Sequence, residues 1–264
     1  MRSLQTTYRK DIWNPFVGAV KEYQLIQAGD TIAACVSGGK DSFLTAKLLQ
    51  MLQRHSDVPF ELKFLCMDPG YAPEHREAIL RNAELLDMPL EIFGANIFNY
   101  VAKQTGSPCY LCARMRRGHL YKEAQARGCS KIALGHHFSD VVETTLMGML
   151  YGAQIQTMPP KLKSRNFPGM ELIRPLYRVH EERILAWQRY HQLEFLKCGC
   201  PLMASCEGET SSSKRAQVKA LIKQLKQTHP DVEKCIFRST GNVRLDTMLG
   251  YNYRGEDHSF LEGY

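Results

Sequence analysis

The chain has 264 residues, with 34 Lys and Arg against 27 Asp and Glu for a formal net charge of +7, and 44% of its residues are hydrophobic. This composition supports a sizeable folded core and excludes wholesale disorder. No stretch approaches the ~20 consecutive apolar residues of a membrane span, and the N-terminus lacks the apolar core of a secretory signal. We therefore expect a cytoplasmic protein with no membrane partner.

Apolar runs alternate with helical patterns through most of the chain. In chain order we expect a helix within 1–28, strand 31–37, helix 43–52, strand 61–67, helix 73–86, strands 90–95 and 131–136, helix 141–150 and strand 173–179. Strands separated by single helices imply crossover connections, because parallel neighbours need them. The pattern predicts an α/β fold with a mostly parallel five-stranded sheet covered by helices on both faces.

The two flanks differ from this central region. Residues 1–28 predict an N-terminal helical segment, and residues 29–204 the sheet domain. Residues 205–264 predict a C-terminal helical extension, in which the serines 211–213 cap a helix running to about His229, a second helix follows Pro230, and the polar tail from Asn252 frays.

A glycine-containing loop joins the first strand to the first helix of the sheet domain. Its sequence is Ser37-Gly38-Gly39-Lys40-Asp41-Ser42. Two glycines let the backbone turn sharply, and a helix N-terminus presents unpaired N–H groups that suit a phosphate. The string is not a Walker A loop, and a plain strand-to-helix turn is the alternative.

This loop resembles the pyrophosphate loop of the PP-loop ATPases, or N-type ATP pyrophosphatases. Members of that family typically cleave ATP between its α and β phosphates and adenylate a substrate. The resemblance implies that Ser37–Ser42 holds the pyrophosphate part of ATP and that Asp41 helps to position Mg²⁺ or the phosphates. We add Asp68, Gly135 and His136, at the ends of two predicted strands, as further ATP-site residues.

Nine cysteines in a cytoplasmic chain need an explanation. Cys35 and Cys66 lie in apolar runs and are predicted to be core residues, because a thiol packs as a small hydrophobe. Cys109 and Cys112 form a Cys-x-x-Cys motif, which suits a redox pair, half a zinc site or an iron–sulfur site. Cys198 and Cys200, about ninety residues later, could converge with that pair on one metal centre.

With these motifs together, the chain is similar to the tRNA 2-thiocytidine synthetase (TtcA-like) branch of the PP-loop family over roughly residues 8–245. In this branch a Cys-x-x-Cys and one later cysteine hold a [4Fe–4S] cluster, and the fourth iron stays open for sulfur. The matching segments are Ser37–Ser42, Cys109–Cys112 with the Arg116-Arg117-Gly118 continuation, Leu134–His137, Tyr151-Gly152, Met158–Leu162 and Ile173–Leu176.

The resemblance implies Cys109 and Cys112 as catalytic cluster ligands. The later motif is one residue shorter here than in the branch, so it leaves two candidates for the third ligand, of which we favour Cys200 and keep Cys198 as the alternative. Asp140 is our best candidate for positioning Mg²⁺ or phosphate. Two departures are Ser139, where the branch has a carboxylate, and Glu143, where it usually has Gln.

We therefore predict ATP- and iron–sulfur-dependent tRNA thiolation, in which adenylation turns the cytidine C2 oxygen into a good leaving group. The sulfur donor would be a cysteine desulfurase or free sulfide, and a homodimer is left open. Alternatives are action on a small molecule or another tRNA base, and a non-enzymatic metal or redox sensor. Basic residues proposed for tRNA phosphates are Arg114, Arg116 and Arg117, the loop residues Lys161, Lys163 and Arg165, and the helical Lys219, Lys223 and Lys226. For the last three a solvated helix face is the alternative.

Overall fold

The structure is a computed structural model that describes residues 2–95, 97–101, 108–196 and 213–263, without the side chains of Asn99, Pro108, Cys109 and Tyr110. The described helices are α1 Asn14–Glu22, α2 Lys40–His55, α3 Pro73–Leu85, α4 Ile97–Val101, α5 Pro108–Ala126, α6 Phe138–Gly152, α7 Glu181–Tyr190, α8 Lys214–Thr228 and α9 Val232–Ser239. No helix among these residues is both long and apolar enough to cross a bilayer.

The predicted mostly parallel sheet is confirmed. Its strands are β1 Thr31–Val36, β2 Glu61–Asp68, β3 Leu90–Gly94, β4 Lys131–Ala133, β5 Lys161–Lys163 and β6 Glu171–Ile173. They lie in the order β3-β2-β1-β4-β6-β5, and every neighbouring pair is parallel except β5 with β6. From β1 the strands are added first on one side, as β2 and β3, and then on the other side, beginning with β4. Where the strand order reverses in this way, a crevice is expected at the carboxyl ends of the two strands, here β1 and β4.

Both faces of the sheet are buried, as the alternation along β1 shows. Ile32, Ala34 and Val36 belong to one core cluster, whereas Ala33 and Cys35 belong to another on the opposite face. The first cluster also contains Phe16 of α1 and Trp187 of α7, both fully buried. The N-terminal helix is therefore part of the core, although it starts at Asn14 and follows a π-helical turn over Arg9–Trp13.

The predictions for the two core thiols are confirmed. Cys66 is fully buried and Cys35 is nearly so. Burial raises the pKa of each thiol to about 12, because a thiolate loses its hydration there.

The sheet has six strands among the described residues, so the prediction of five was wrong by one edge strand. Residues 161–163, which we placed in a loop, form β5 and pair antiparallel with β6. The strand predicted at 173–179 is instead β6, which ends at Ile173. Pro175 lacks a backbone N–H, so it cannot continue a hydrogen-bonded ladder.

The chain divides into two compact units, Met1–Val141 with Pro159–Ser211 and Val142–Met158 with Ser212–Tyr264. In the second unit α8 begins as predicted, since the Ser213 hydroxyl accepts a hydrogen bond from the Ala216 amide over 3.2 Å. The tail forms a hairpin of β7 Gly250–Tyr253 and β8 Glu256–Ser259 where fraying was expected. The turn residues Arg254 and Gly255 have φ of +56° and +95°, the conformation of a two-residue hairpin loop.

Candidate functional site

The phosphate loop, Ser37–Ser42, leads from β1 directly into the first turn of α2. Gly39 is the N-cap of α2 in an extended conformation, and no side chain caps the helix there. The first-turn amides of a helix lack intrahelical acceptors, so this terminus can donate to an anion. Gly38 has φ of +88°, a backbone conformation that favours glycine.

Hydrogen bonds within the loop hold its shape. The Ser42 hydroxyl donates to the Gly39 carbonyl over 2.8 Å and accepts from the Ser37 amide over 3.1 Å. Ser42 is buried, whereas Ser37 is exposed. Ser42 therefore has a structural part in the loop, and Ser37 presents its side chain to solvent.

Lys40 is the one basic residue of the loop, and it is held by carboxylates. Its Nζ lies 3.0 Å from Asp41 Oδ2 and 3.3 Å from Glu181 Oε1. Burial disfavours the charged amine, but the two carboxylates outweigh burial and raise the pKa of Lys40. Because its charge is already paired, the anion affinity of the loop rests chiefly on backbone amides.

A cavity of about 350 Å³ opens beside the loop at the crevice between the ends of β1 and β4. Its walls come from parts of the chain that are far apart in sequence. The lining residues include Ser37, Gly39, Asp41 and Ser42 of the loop, Ala113, Arg116, Arg117 and Leu120 of α5, and Leu134, Gly135, His136 and Asp140 at and after the end of β4.

Gly135 allows the end of β4 to touch the phosphate loop. A Cβ at this position would lie 2.8 Å from the carbonyl carbon and oxygen of Asp41 and 2.9 Å from the Ser42 nitrogen. These are backbone atoms, which a side-chain rotation cannot move. The glycine is thus required by the approach of two backbones, and the assignment of Gly135 to the ATP site stays a prediction.

His137 lies between the two carboxylates proposed to handle Mg²⁺. Its Nε2 is 3.9 Å from Asp41 Oδ1, and its Nδ1 is 3.4 Å from Asp140 Oδ2. The Asp140 carboxylate also accepts from the His137 amide over 3.0 Å, which caps α6. Of the two histidines, His136 lines the cavity and His137 is buried. The paired histidines in the sequence gave no indication of which would occupy this position.

Asp41 has one oxygen with no hydrogen bond in the described part of the chain. Oδ2 pairs with Lys40, whereas Oδ1 is buried and has no hydrogen-bond partner. A buried carboxylate oxygen without a donor is costly unless something else pairs with it. A hard cation such as Mg²⁺ takes carboxylate oxygens, so the chemistry of Asp41 suits such an ion.

Asp68 is not among the residues that line the cavity. It ends β2, and its Oδ1 accepts from the amides of Gly70 and Tyr71 over 2.9 and 2.7 Å. These bonds form an Asx turn, which shapes the chain after the strand. The contacts of Asp68 therefore support a turn-forming role, and its assignment to the ATP site stays a prediction.

Tyr71 connects α5 with the phosphate loop, a link that the sequence did not indicate. Its hydroxyl donates to the Ser37 carbonyl over 3.2 Å and accepts from Arg116 over 3.4 Å. Burial raises the pKa of Tyr71 to about 12, so the phenol keeps its proton. Arg116 is thereby tied to the loop through one neutral side chain.

The Cys-x-x-Cys motif lies in the first turns of α5. Cys112 is half-buried and packs beside the core cluster that contains Met67 and Val101. Arg116 follows it by four residues, which places both on one side of the helix. Cys109 lies one turn before Cys112, where only its backbone is described.

The later cysteines, Cys198 and Cys200, lie outside the described residues, as does Cys206. The last described residue before them is Leu196, whose amide donates to the Gly38 carbonyl over 3.1 Å. Among the described residues no group of three His, Cys, Asp or Glu side chains could hold a metal ion.

The two departures from the branch pattern have structural contacts. The Ser139 hydroxyl accepts from the Glu181 amide at the start of α7 over 3.5 Å. Glu143 is buried in the second unit and pairs with Arg215 of α8 over 2.8 Å. Each residue contacts another helix, which gives it a packing role in this chain.

Comparisons with known proteins agree with these features. The family described as PP-loop domain matches residues 14–198. The chain is 35% identical to a tRNA-cytidine(32) 2-sulfurtransferase of Photobacterium profundum, covering 94% of this chain and 80% of that protein. It is 32% identical to the enzyme of the same name from Geobacter metallireducens, covering 92% and 93%.

A solved structure shares the fold. It is a U34-tRNA thiolase from Methanococcus maripaludis with its [4Fe-4S] cluster, at a TM-score of 0.69 and 21% identity, covering 90% of this chain and 80% of that one.

Proposed function

Because the chain belongs to the PP-loop family, and within it to the tRNA-cytidine(32) 2-sulfurtransferases, we propose that it is a cytoplasmic enzyme that replaces the C2 oxygen of a tRNA cytidine with sulfur. The observation that carries this proposal is the cavity. It brings the phosphate loop, Asp140 and the arginines that follow the Cys-x-x-Cys motif to one place.

The first step is adenylation of the base. The cytidine C2 oxygen attacks the α-phosphorus of ATP, forms a C–O–P bond and releases pyrophosphate. The backbone amides of the phosphate loop at the start of α2 hold the pyrophosphate. Their fixed dipoles stabilise the negative charge that develops on the pyrophosphate as it leaves. Asp41 and Asp140 would hold Mg²⁺, and His137 between them keeps both carboxylates in place.

The second step exchanges AMP for sulfur. Hydrosulfide adds at C2 and the adenylated oxygen departs with AMP, so the C–O bond breaks as the C–S bond forms. Cys109, Cys112 and either Cys200 or Cys198 would hold a [4Fe–4S] cluster. When it is bound, that cluster supplies an iron with an open position for the sulfur. A cysteine desulfurase or free sulfide would be the source.

The arginines of α5 are proposed to contact tRNA phosphates. Arg114 and Arg117 are exposed, and Arg116 and Arg117 line the cavity. Contacts of this kind position RNA without reading its sequence.

We further propose a homodimer, as is common among PP-loop enzymes.

The test has two parts, of which the first concerns the cluster. Protein purified without oxygen should be brown, and Cys112→Ala should remove the colour while the matched variant Cys235→Ala, at an exposed cysteine of α9, keeps it. A colourless protein that holds stoichiometric zinc would contradict the cluster assignment.

The second part concerns the substrate. We expect 2-thiocytidine to disappear from the tRNA of cells that lack this protein and to return with the wild-type gene. Unchanged 2-thiocytidine, together with no tRNA binding at low salt, would point instead to a small-molecule substrate.

A further inference from the structure

Glu181, the first residue of α7, meets the phosphate loop from a distant part of the chain. Its Oε1 lies 3.3 Å from Lys40 Nζ, and 141 positions separate the two residues. The Glu181 amide donates to the Ser139 hydroxyl over 3.5 Å, so the start of α7 is also held against α6. Neither Glu181 nor Lys40 is among the described residues that line the cavity. We therefore expect any effect of Glu181 on a ligand in the cavity to pass through Lys40.

Lys40 occupies a position that is unfavourable for a cation. It is the first residue of α2, after the N-cap Gly39, where the positive end of the helix dipole lies. Its side chain is only 19% exposed, so the ammonium has also lost most of its hydration. The carboxylates of Asp41 and Glu181 offset both costs. These two acids therefore decide where the Lys40 ammonium lies.

The two carboxylates differ in their other contacts. Asp41 pairs with Lys40 through Oδ2 over 3.0 Å, whereas its buried Oδ1 has no hydrogen-bond partner in the described part of the chain. An ammonium so close to this carboxylate opposes a divalent cation on the same group, because two positive charges repel at short range. Glu181 offers Lys40 a second carboxylate, which belongs to another helix and does not line the cavity.

We propose that Glu181 is a positioning residue of the ATP site, which draws the Lys40 ammonium away from Asp41 and so leaves Asp41 free to bind Mg²⁺. An acidic side chain is favourable at the start of a helix, where Glu181 lies. The side chains of Glu181 and Lys40 are each 19% exposed, so solvent screens their attraction less than that of a surface pair. This role rests on the ATP and Mg²⁺ part of the proposed function and requires neither thiolation nor a cluster.

The test measures how much Mg²⁺ strengthens the binding of ATP to the full-length protein. Calorimetry gives the dissociation constant of ATP with EDTA and with excess Mg²⁺, and the ratio of the two constants is the contribution of the metal. The variants are Glu181→Gln and Glu181→Asp, each made alone and together with Lys40→Gln. The matched control is Glu182→Gln on the same helix turn, since the Glu182 side chain is 63% exposed and lies 3.8 Å from Arg183 of its own helix.

We expect Glu181→Gln to reduce this ratio by about tenfold, because Lys40 then pairs with Asp41 alone. Glu182→Gln should change the ratio by about twofold at most, since it removes an exposed charge. Glu181→Asp should reduce the ratio by only about threefold, because it keeps the charge on a shorter side chain. In the Lys40→Gln background neither substitution at Glu181 should change the ratio further, because no ammonium remains to oppose the metal.

Equal ratios in Glu181→Gln and Glu182→Gln would overturn the role of Glu181. So would a fall that persists in the Lys40→Gln background, because a general loss of negative charge or a merely structural effect does not depend on Lys40. Melting curves show which variants fold. If Glu181→Gln does not fold, Glu181→Asp takes its place in both comparisons.

These outcomes are distinct from those of the thiolation tests. The expected ratios in a protein that forms no 2-thiocytidine would contradict the proposed reaction and support the role of Glu181. Wild-type protein that binds ATP equally well with EDTA and with Mg²⁺ would contradict the role of Glu181, whatever its effect on tRNA.

Discussion

The amide of Leu196 donates to the carbonyl of Gly38 over 3.1 Å, and the Leu196 side chain covers the same glycine. A Cβ on Gly38 would lie 2.7 Å from Leu196 Cδ1. The segment that carries Cys198 and Cys200 therefore follows a residue, Leu196, that is hydrogen-bonded to the phosphate loop. This contact joins the phosphate loop to the last described residue before the later cysteine motif.

Gly38 and Leu196 should be energetically coupled. Gly38→Ala places an alanine at positive φ, at a cost of roughly 1–2 kcal/mol, and makes it overlap Leu196. Leu196→Ala removes that overlap but loses buried apolar area. The double variant should therefore be more stable than the sum of the single losses predicts, by about 0.5–1 kcal/mol. Urea denaturation of the four proteins measures this, and strict additivity would contradict the contact.

Gly135→Ala should damage both stability and ATP binding. The added methyl would lie 2.8 Å from the Asp41 backbone, so the loop or β4 must move. We expect a loss of at least about 2 kcal/mol in the free energy of unfolding and at least tenfold in ATP affinity. Gly118→Ala on α5 is the control, since its added Cβ meets no other described part of the chain within 4 Å and alanine favours a helix by roughly 1 kcal/mol. Equal effects of the two substitutions would contradict the steric argument.

Stability should fall above pH 9 because of the two core thiols. Burial raises the pKa of Cys35 and Cys66 to about 12 from an ordinary value of 9.0. Below pH 9 the two thiols are protonated in both the folded and the unfolded state, so through them pH does not change the free energy of unfolding. Between pH 9 and 12 the thiols ionise only in the unfolded chain, so each thiol lowers the free energy of unfolding by about 1.4 kcal/mol per pH unit.

Replacing either buried thiol should flatten this dependence. Cys35→Ala and Cys66→Ala should each reduce the slope of unfolding free energy between pH 9.5 and 11 by about 1.4 kcal/mol per unit. Cys235→Ala, at an exposed cysteine, should leave the slope as it is. The slope is the readout, since the alanines also lower stability at every pH. An unchanged slope in both core variants would show that these thiols ionise normally in the folded protein.

Removing Arg215 from its ion pair with Glu143 should cost more stability than neutralising Glu143. Glu143 is buried, whereas the Arg215 side chain is 48% exposed. Arg215→Ala leaves a buried carboxylate without this partner and should cost about 2 kcal/mol. Glu143→Gln keeps an acceptor and removes the buried charge, so it should cost under about 1 kcal/mol.

Lys223→Ala, on the same helix at an exposed position, is the control for this ion pair, with an expected change within about 0.5 kcal/mol. Chemical denaturation of all three variants supplies the comparison. If Glu143→Gln proved more costly than Arg215→Ala, the buried carboxylate would not be the group that needs its partner.

The amino-acid sequence by itself determined the features that depend on local pattern. The apolar runs located β1 and β2 to within a residue. The phosphate loop, Ser37–Ser42, was recognisable because its glycines and the helix start are contiguous. The core positions of Cys35 and Cys66 followed from their apolar neighbours. The family resemblance likewise depended on ordered short motifs along one chain.

Only the tertiary structure decided which of these segments meet. Local periodicity does not specify the strand order, and it is the pairing of β1 with β4 that presses Gly135 against Asp41. The same packing places His137 between two carboxylates. Residues 161–163 form a strand because β6 offers them an antiparallel edge. The contacts of Gly135 and His137 with Asp41 join residues about a hundred positions apart, and their cost or gain exists only once both backbones are in place.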